Sequence, residues 1–154
     1  MTSILALDLG SQLGWAVRLH NGPIISGTVS FKPGRFEGAG MGFLRFQRWL
    51  EETETSARPL GSVYFEEVRA HAGTLAAQVY GGFVSHLTAW CEAKSIPYQG
   101  VPVATIKKSA TGKGNADKKA VIAAVTAKGF QPHDDNEADA LALLLWAIQL
   151  TKGE

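Results

Sequence analysis

Apolar residues crowd the start of the chain: "SILALDL" (3–9) is a nearly unbroken apolar run interrupted only by Asp8. After the turn "GSQLG" come "WAVRLH" and "PIISGTVSF", separated by Asn21-Gly22, a dipeptide that tolerates the positive φ of a tight hairpin. The first thirty residues therefore predict three short antiparallel strands. Residues 34–42, "GRFEGAGMG", are Gly-rich and predict a loop, and Leu44, Trp49 and Leu50 mark the apolar side of a helix from Phe43 to about Thr55. "SVYFEEV" (62–68) has strand composition, "TLAAQVYGGFVSHLTAWCEAK" (74–94) has helical spacing and length, and "IPYQGVPV" (96–103) reads as a short strand edged by proline. A turn of helix over 104–109, a loop "TGKGN" (111–115) and a helix over 116–128 with Gly129 as its C-cap follow. The last helix begins near Asn136 and runs to about Leu150. The order βββαβαβαα predicts an α/β domain with a mixed five-stranded sheet, its first three strands antiparallel and the later ones parallel.

Length and composition narrow the class. At 154 residues, 45% apolar and 19% charged, the chain reads as one domain spanning 1–154 with room for a substantial core. No apolar run reaches the ~18 residues that span a bilayer, and the first residues lack the basic stretch of a signal peptide. The lone Cys91 cannot form an internal disulfide and is expected buried on its helix, which points to an intracellular, cytoplasmic protein. A net charge of +1 makes no global case for nucleic-acid binding, but its distribution is uneven. Between Lys107 and Lys128 stand six lysines (107, 108, 113, 118, 119, 128) against one acid, Asp117, whereas 133–139 holds four acids and no Lys or Arg. A polyanion held beside bound cations would need that pairing; a solvated helix face followed by helix-capping acids would also produce it.

Four pieces carry candidate chemistry. Asp8 lies in an apolar strand, where a carboxylate must be paired, solvated in a cleft or bound to metal. Glu66 and Glu67 end a second apolar strand on opposite faces, so at most one of them shares a face with a site. Asp135 and Asp139 are spaced i, i+4 and Asn136 and Asp139 i, i+3, so either pair shares a helix face. Asp135 also suits a helix cap, and Glu137 is expected to be a solvated acid. Lys113 sits in a Gly-flanked loop that can approach phosphate, and Lys118 and Lys119 open a helix whose N-terminus favours anions, although the GxxxxGK[ST] spacing of a P-loop is absent. Asp8, a strand-end Glu and Asp139 converging on one point would offer hard oxygen ligands suited to Mg2+ (or Mn2+) rather than zinc. Two such ions serve phosphodiester hydrolysis.

"ILALDLGSQLGWAV", "VYFEEV", "VATIKKSATGKGNADKKAVI" and "NEADALALLL" resemble, in order and spacing over nearly the whole chain, the RuvC family of Holliday-junction resolvases. The first motif alone also opens sugar-kinase and actin-like chains, which need two such domains. The resemblance implies a ribonuclease H-like fold, a homodimer, Mg2+ or Mn2+ with two ions per active site, and cleavage of two symmetric strands of four-way or other branched DNA. It implies Asp8, Glu66 and Asp139 as metal ligands, and Lys107 and Lys118 as basic residues near DNA. With Lys108, Lys113 and Lys119 they form the expected phosphate-binding segment.

Two positions depart from the family pattern. The residue three before the last Asp is Asn136 where the family has Asp or His, so either Asn136 ligates through its amide or Asp135 replaces it; the charged Asp135 is favoured. The position at which the family places an aromatic wedge is Arg69 here, and Arg69 or His71 is expected to touch phosphate instead. The divergence suggests a phage or prophage member acting in a bacterial or phage-infected cell. Three other readings remain: a ribonuclease H-like nuclease acting on RNA (YqgF-like), a junction-binding protein whose site has decayed, and a small actin-like nucleotide-binding fragment.

Overall fold

The computed structural model describes residues 1–153. Strands β1 (Ser3–Asp8), β2 (Gln12–Arg18) and β3 (Ile24–Ser30) form the antiparallel meander, turned at Gly22 with φ 113°. Helix α1 (Gly40–Ala57) leads into β4 (Leu60–Glu67), α2 (Thr74–Lys94) into β5 (Tyr98–Pro102), and α3 (Val103–Thr111), α4 (Lys118–Ala127) and α5 (Asp135–Lys152) complete the chain. The sheet order is β3-β2-β1-β4-β5, with β4 parallel to both β1 and β5. Helical crossovers are what allow those parallel pairs.

Both faces of the sheet are covered, which explains the nearly continuous apolar run of β1. Leu5, Leu7, Val63 and Phe65 face α1 and α2, packing on Phe46, Leu50, Phe83, Leu87 and the buried Cys91. Ile4, Ala6 and Ala16 face the other way, onto Ala138, Leu141 and Leu144 of α5. By the same alternation Asp8 and Glu66 point to the α5 side and Glu67 to the α1–α2 side. Gly14, paired with Asp8 in register, lets β2 press against the first turn of α5, because a Cβ there would collide with the Asn136 backbone carbonyl. That close approach seats the acidic start of α5 over the end of β1.

Several boundaries differ from the sequence expectation. Helix α1 begins at Gly40, inside the expected loop, because Gly42 packs directly on the Phe31 carbonyl where no larger residue fits. The turn expected over 104–109 is a full helix to Thr111, closed by Gly112 at φ 88°. Gly129, at φ 98°, follows α4 as expected. Among the described residues no helix is long and apolar enough to cross a membrane.

Candidate active site

Three carboxylates meet at the carboxyl end of β1 and β4. Asp8 is the last residue of β1, and the parallel register Leu7↔Phe65 sets it beside Glu66. Asp139, in the second turn of α5, descends onto the same point. One carboxylate oxygen from each of Asp8, Glu66 and Asp139 lies within 4.8 Å of the others, and all three residues are partly buried.

Such a cluster is electrostatically unfavourable by itself. Burial first, then the charge and hydrogen bond of Glu66 and the charges of Asp139 and Asp135, push the Asp8 carboxyl up to about 10. Burial, Glu66 and Asp135 raise Asp139 to about 7, against the pull of Lys107 and Lys118. Asp8 and Asp139 therefore hold their protons well above the usual carboxylate range. Three converging carboxylate oxygens, with no Cys or His among them, form an all-oxygen donor set that suits a hard divalent cation.

Asp135 stands at the rim. It lies outside the 4.8 Å cluster, near enough to raise Asp8 and Asp139, and forms an ion pair with Lys118 Nζ at 3.1 Å. That pair holds the Lys118 ammonium above its ordinary pKa. Asn136 meets β2 through its backbone carbonyl. The cap of α5 is neither of these: Asp134 Oδ1 accepts from the Glu137 backbone N–H at 2.8 Å, and the Asp134 carboxylate accepts from the Thr28 hydroxyl at 3.0 Å. Asp135 is thus a first-turn residue, favourable to the helix dipole and free of the capping role expected for it.

Glu137 corrects a second expectation. It is 3% exposed rather than solvated. Its carboxylate accepts from the Ser26 hydroxyl at 2.7 Å and the His133 backbone N–H at 2.9 Å, and contacts His133 Nδ1 at 2.9 Å. Burial alone would raise its pKa, but the His133 amide, the Ser26 hydroxyl and the His133 ring hold it below the usual range. Ser26 and Thr28 alternate on one face of β3, so the polar i, i+2 pair of "SGT" is the signal that β3 receives the acidic start of α5.

Of the basic residues, Lys107 and Lys118 lie near enough to the cluster to act on Asp139. Helix α3, with Lys107 and Lys108, starts directly where β5 ends; Lys113 lies in the following loop, and Lys118 and Lys119 are the first residues of α4. Asp117 caps α4 by accepting from the Ala120 backbone N–H at 2.9 Å. Arg69 is exposed and pairs with Glu67 at 3.0 Å, on the face opposite Glu66. The His71 ring packs 4.9 Å from that of Tyr80. Tyr80 is a residue that sequence reasoning missed. Its hydroxyl donates to the Glu66 carbonyl at 2.6 Å and accepts from the Val68 N–H at 3.0 Å, fastening the end of β4 to α2. Its sequence signal is a polar-tipped aromatic within a mostly apolar helix, a signal that Trp90 shares.

No protein-family model matches the sequence, and no curated protein matches it either. Solved structures do. A Thermus thermophilus RuvC in complex with Holliday junction substrate superposes with a TM-score of 0.79 at 22% identity, covering 99% of this chain and 97% of that one. A second Thermus thermophilus RuvC structure gives 0.76 at 22% identity with the same coverage. The yeast mitochondrial Holliday junction resolvase Ydc2 gives 0.66 at 11% identity, covering 98% of this chain and 82% of that one. The chain has the ribonuclease H-like fold of the RuvC Holliday-junction resolvases.

Proposed function

We propose that this chain is a divalent-metal-dependent endonuclease that cuts four-way and other branched DNA as a homodimer. The convergence of Asp8, Glu66 and Asp139 within 4.8 Å at the end of a ribonuclease H-like sheet carries this reading. Asp8, Glu66 and Asp139 would hold Mg2+ or Mn2+, with Asp135 as the neighbouring ligand that completes a two-ion site. Bound there, the ions would supply Lewis acidity to a water and to the departing oxygen of a phosphodiester. Lys118, already poised beside Asp135, screens the incoming phosphate from the acids. Lys107, Lys108, Lys113 and Lys119 bind flanking phosphates, so affinity falls with salt. Arg69 and His71 lie beyond the end of β4, within the segment that would meet the backbone of a second DNA arm.

Residues 1–154 act as a single nuclease domain on this reading, in the cytoplasm of a bacterial or phage-infected cell. Paired cuts would need two copies; α2, the candidate dimer surface, gives Phe83, Leu87 and Cys91 to the chain's own core and leaves Leu75 exposed for such a contact.

Cleavage of an end-labelled four-way junction in Mg2+ tests the proposal against Asp8→Asn. Paired nicks by the wild type and none by the variant are expected. Absence of any cut in branched DNA, or preferential cutting of RNA in a mixed assay, would overturn it. Sedimentation at increasing concentration tests the dimer.

A further inference from the structure

The loop between β3 and α1 carries a built feature that the acidic site does not use. Gly34 to Glu37 form a tight turn, closed by the Glu37 N–H donating to the Gly34 carbonyl at 3.0 Å. The Gly34 N–H donates back to Glu37 Oε1 at 2.6 Å, and Arg45 of α1 clamps the Glu37 carboxylate through both terminal nitrogens. That double closure leaves Arg35 and Phe36 at the two apical positions. Phe36 is 94% exposed, more than any other large apolar residue described, and the Arg35 guanidinium carbon lies 5.5 Å from its ring centroid.

The turn stands at the catalytic end of the sheet. Ser30, the last residue of β3, pairs with Gln12 at the start of β2, and the Phe31 N–H donates to Ser11 in the turn that follows Asp8. Strand β3 lies two strands from β1, about 10 Å by strand spacing. Arg45 neutralises Glu37, so Lys32 and Arg35 leave the tip cationic. A cation and a fully presented aromatic face on a braced turn form a stacking platform for a nucleobase with its phosphate. A protein partner would ask for a wider apolar surface than one ring.

We infer that the Arg35–Phe36 turn is a second DNA contact, in which the Phe36 ring stacks on an unpaired base and Arg35 meets the adjoining phosphate. This rests on the reading of the chain as a branched-DNA nuclease. The test is fluorescence anisotropy in EDTA with two duplexes, one bearing a single-base bulge and the other an abasic residue at the same bulge. The wild type should prefer the base over the abasic site on the order of tenfold. Phe36→Ala should lose that preference while its affinity for the abasic duplex stays unchanged, and Phe36→Trp should keep it. The side chain is solvent-exposed, and circular dichroism confirms that each variant folds. An unchanged preference in Phe36→Ala, or an equal loss on both duplexes, overturns the inference while Asp8-dependent junction cleavage still stands. A wild type that neither binds these duplexes nor cuts junctions overturns the inference and the nuclease reading together.

Discussion

The Tyr80 hydroxyl donates to the backbone carbonyl of Glu66 at 2.6 Å while accepting from the Val68 N–H at 3.0 Å. One side chain of α2 thus satisfies two backbone groups at the point where β4 leaves the sheet, and fixes the carboxylate that neighbours Asp8. Tyr80→Phe removes both bonds and little volume. A net hydrogen bond is worth about 1 kcal/mol, so the loss of two should lower stability by about 2 kcal/mol. Loosening Glu66 should also lower kcat several-fold and weaken Mn2+ binding measured by calorimetry. DNA affinity in EDTA should stay unchanged; a loss confined to stability, with kcat and Mn2+ affinity intact, would leave Tyr80 a packing residue.

The crowding of Asp8, Glu66 and Asp139 stores repulsion that function would explain and folding would not. Asp8→Asn keeps the shape and removes the most strongly perturbed carboxyl. Metal-dependent cleavage should vanish, yet urea unfolding of the metal-free protein should show a gain of about 1 kcal/mol, typical of relieving an active-site conflict. A variant less stable than wild type would mean that Asp8 is a satisfied structural acid.

The pH dependence has a definite sign. Asp139 and Asp8 titrate near 7 and 10 in the folded chain against an ordinary value of 3.8, so the folded state keeps protons that the unfolded chain has released. Their contribution to stability is complete below about pH 4 and is lost as pH rises, to about 7 for Asp139 and onward to about 10 for Asp8. Metal-free Asp139→Asn should therefore gain stability relative to wild type as pH rises from 5 to 7 and gain little more above. A divalent cation should stabilise the wild type increasingly over the same range, because binding displaces those protons. Denaturant titrations at several pH values, with and without Mg2+, measure both trends.

Glu137 anchors the start of α5 rather than facing water. Its three contacts join β3, the loop before α5 and the helix itself. Glu137→Ala orphans the Ser26 hydroxyl and the His133 amide and should cost about 3 kcal/mol; Glu137→Gln, which keeps one acceptor, should cost less. Urea midpoints compared at constant m-value measure the difference, and a cost under 0.5 kcal/mol, the range of ordinary surface changes, would return Glu137 to the solvated class.

Asp8 and Asp139 were legible in the sequence because a carboxylate inside an apolar strand or at the edge of an apolar helix stripe is costly unless it has a partner, whereas the choice of Glu66 over Glu67 came from the family resemblance. Alternation also separated Glu66 from Glu67, and the structure places them on opposite faces. Roles set by residues distant in sequence stayed hidden. Nothing around "DDNEAD" tells which acid caps the helix, which is buried and which faces the site; Thr28 and Ser26 decide it, more than a hundred residues away. Gly14 looked like an ordinary turn residue, although its missing side chain is what seats α5 on β2. The Arg35–Phe36 turn lay in a segment legible only as a Gly-rich loop, since its bracing by Arg45 is a tertiary contact.

Asp135 and Asn136 remain distinguishable by experiment. Asp135 offers a charged oxygen, already close enough to act on Asp8 and Asp139, and its present partner is the exposed Lys118. A hard cation binds a carboxylate more strongly than an amide, and the Lys118 pair, being exposed, costs little to open. Asp135→Asn should therefore abolish cleavage and weaken Mn2+ binding on the order of tenfold or more, as loss of a metal ligand or its support does. Asn136→Ala should retain activity, because the contact that Asn136 makes with β2 is through its backbone. Lys118→Ala separates the two duties of the pair: the salt slope of junction binding should shrink by about 0.9, while Mn2+ affinity holds or rises as Asp135 is released. Retained cleavage in Asp135→Asn with loss in Asn136→Ala would reverse the assignment and make the amide the ligand.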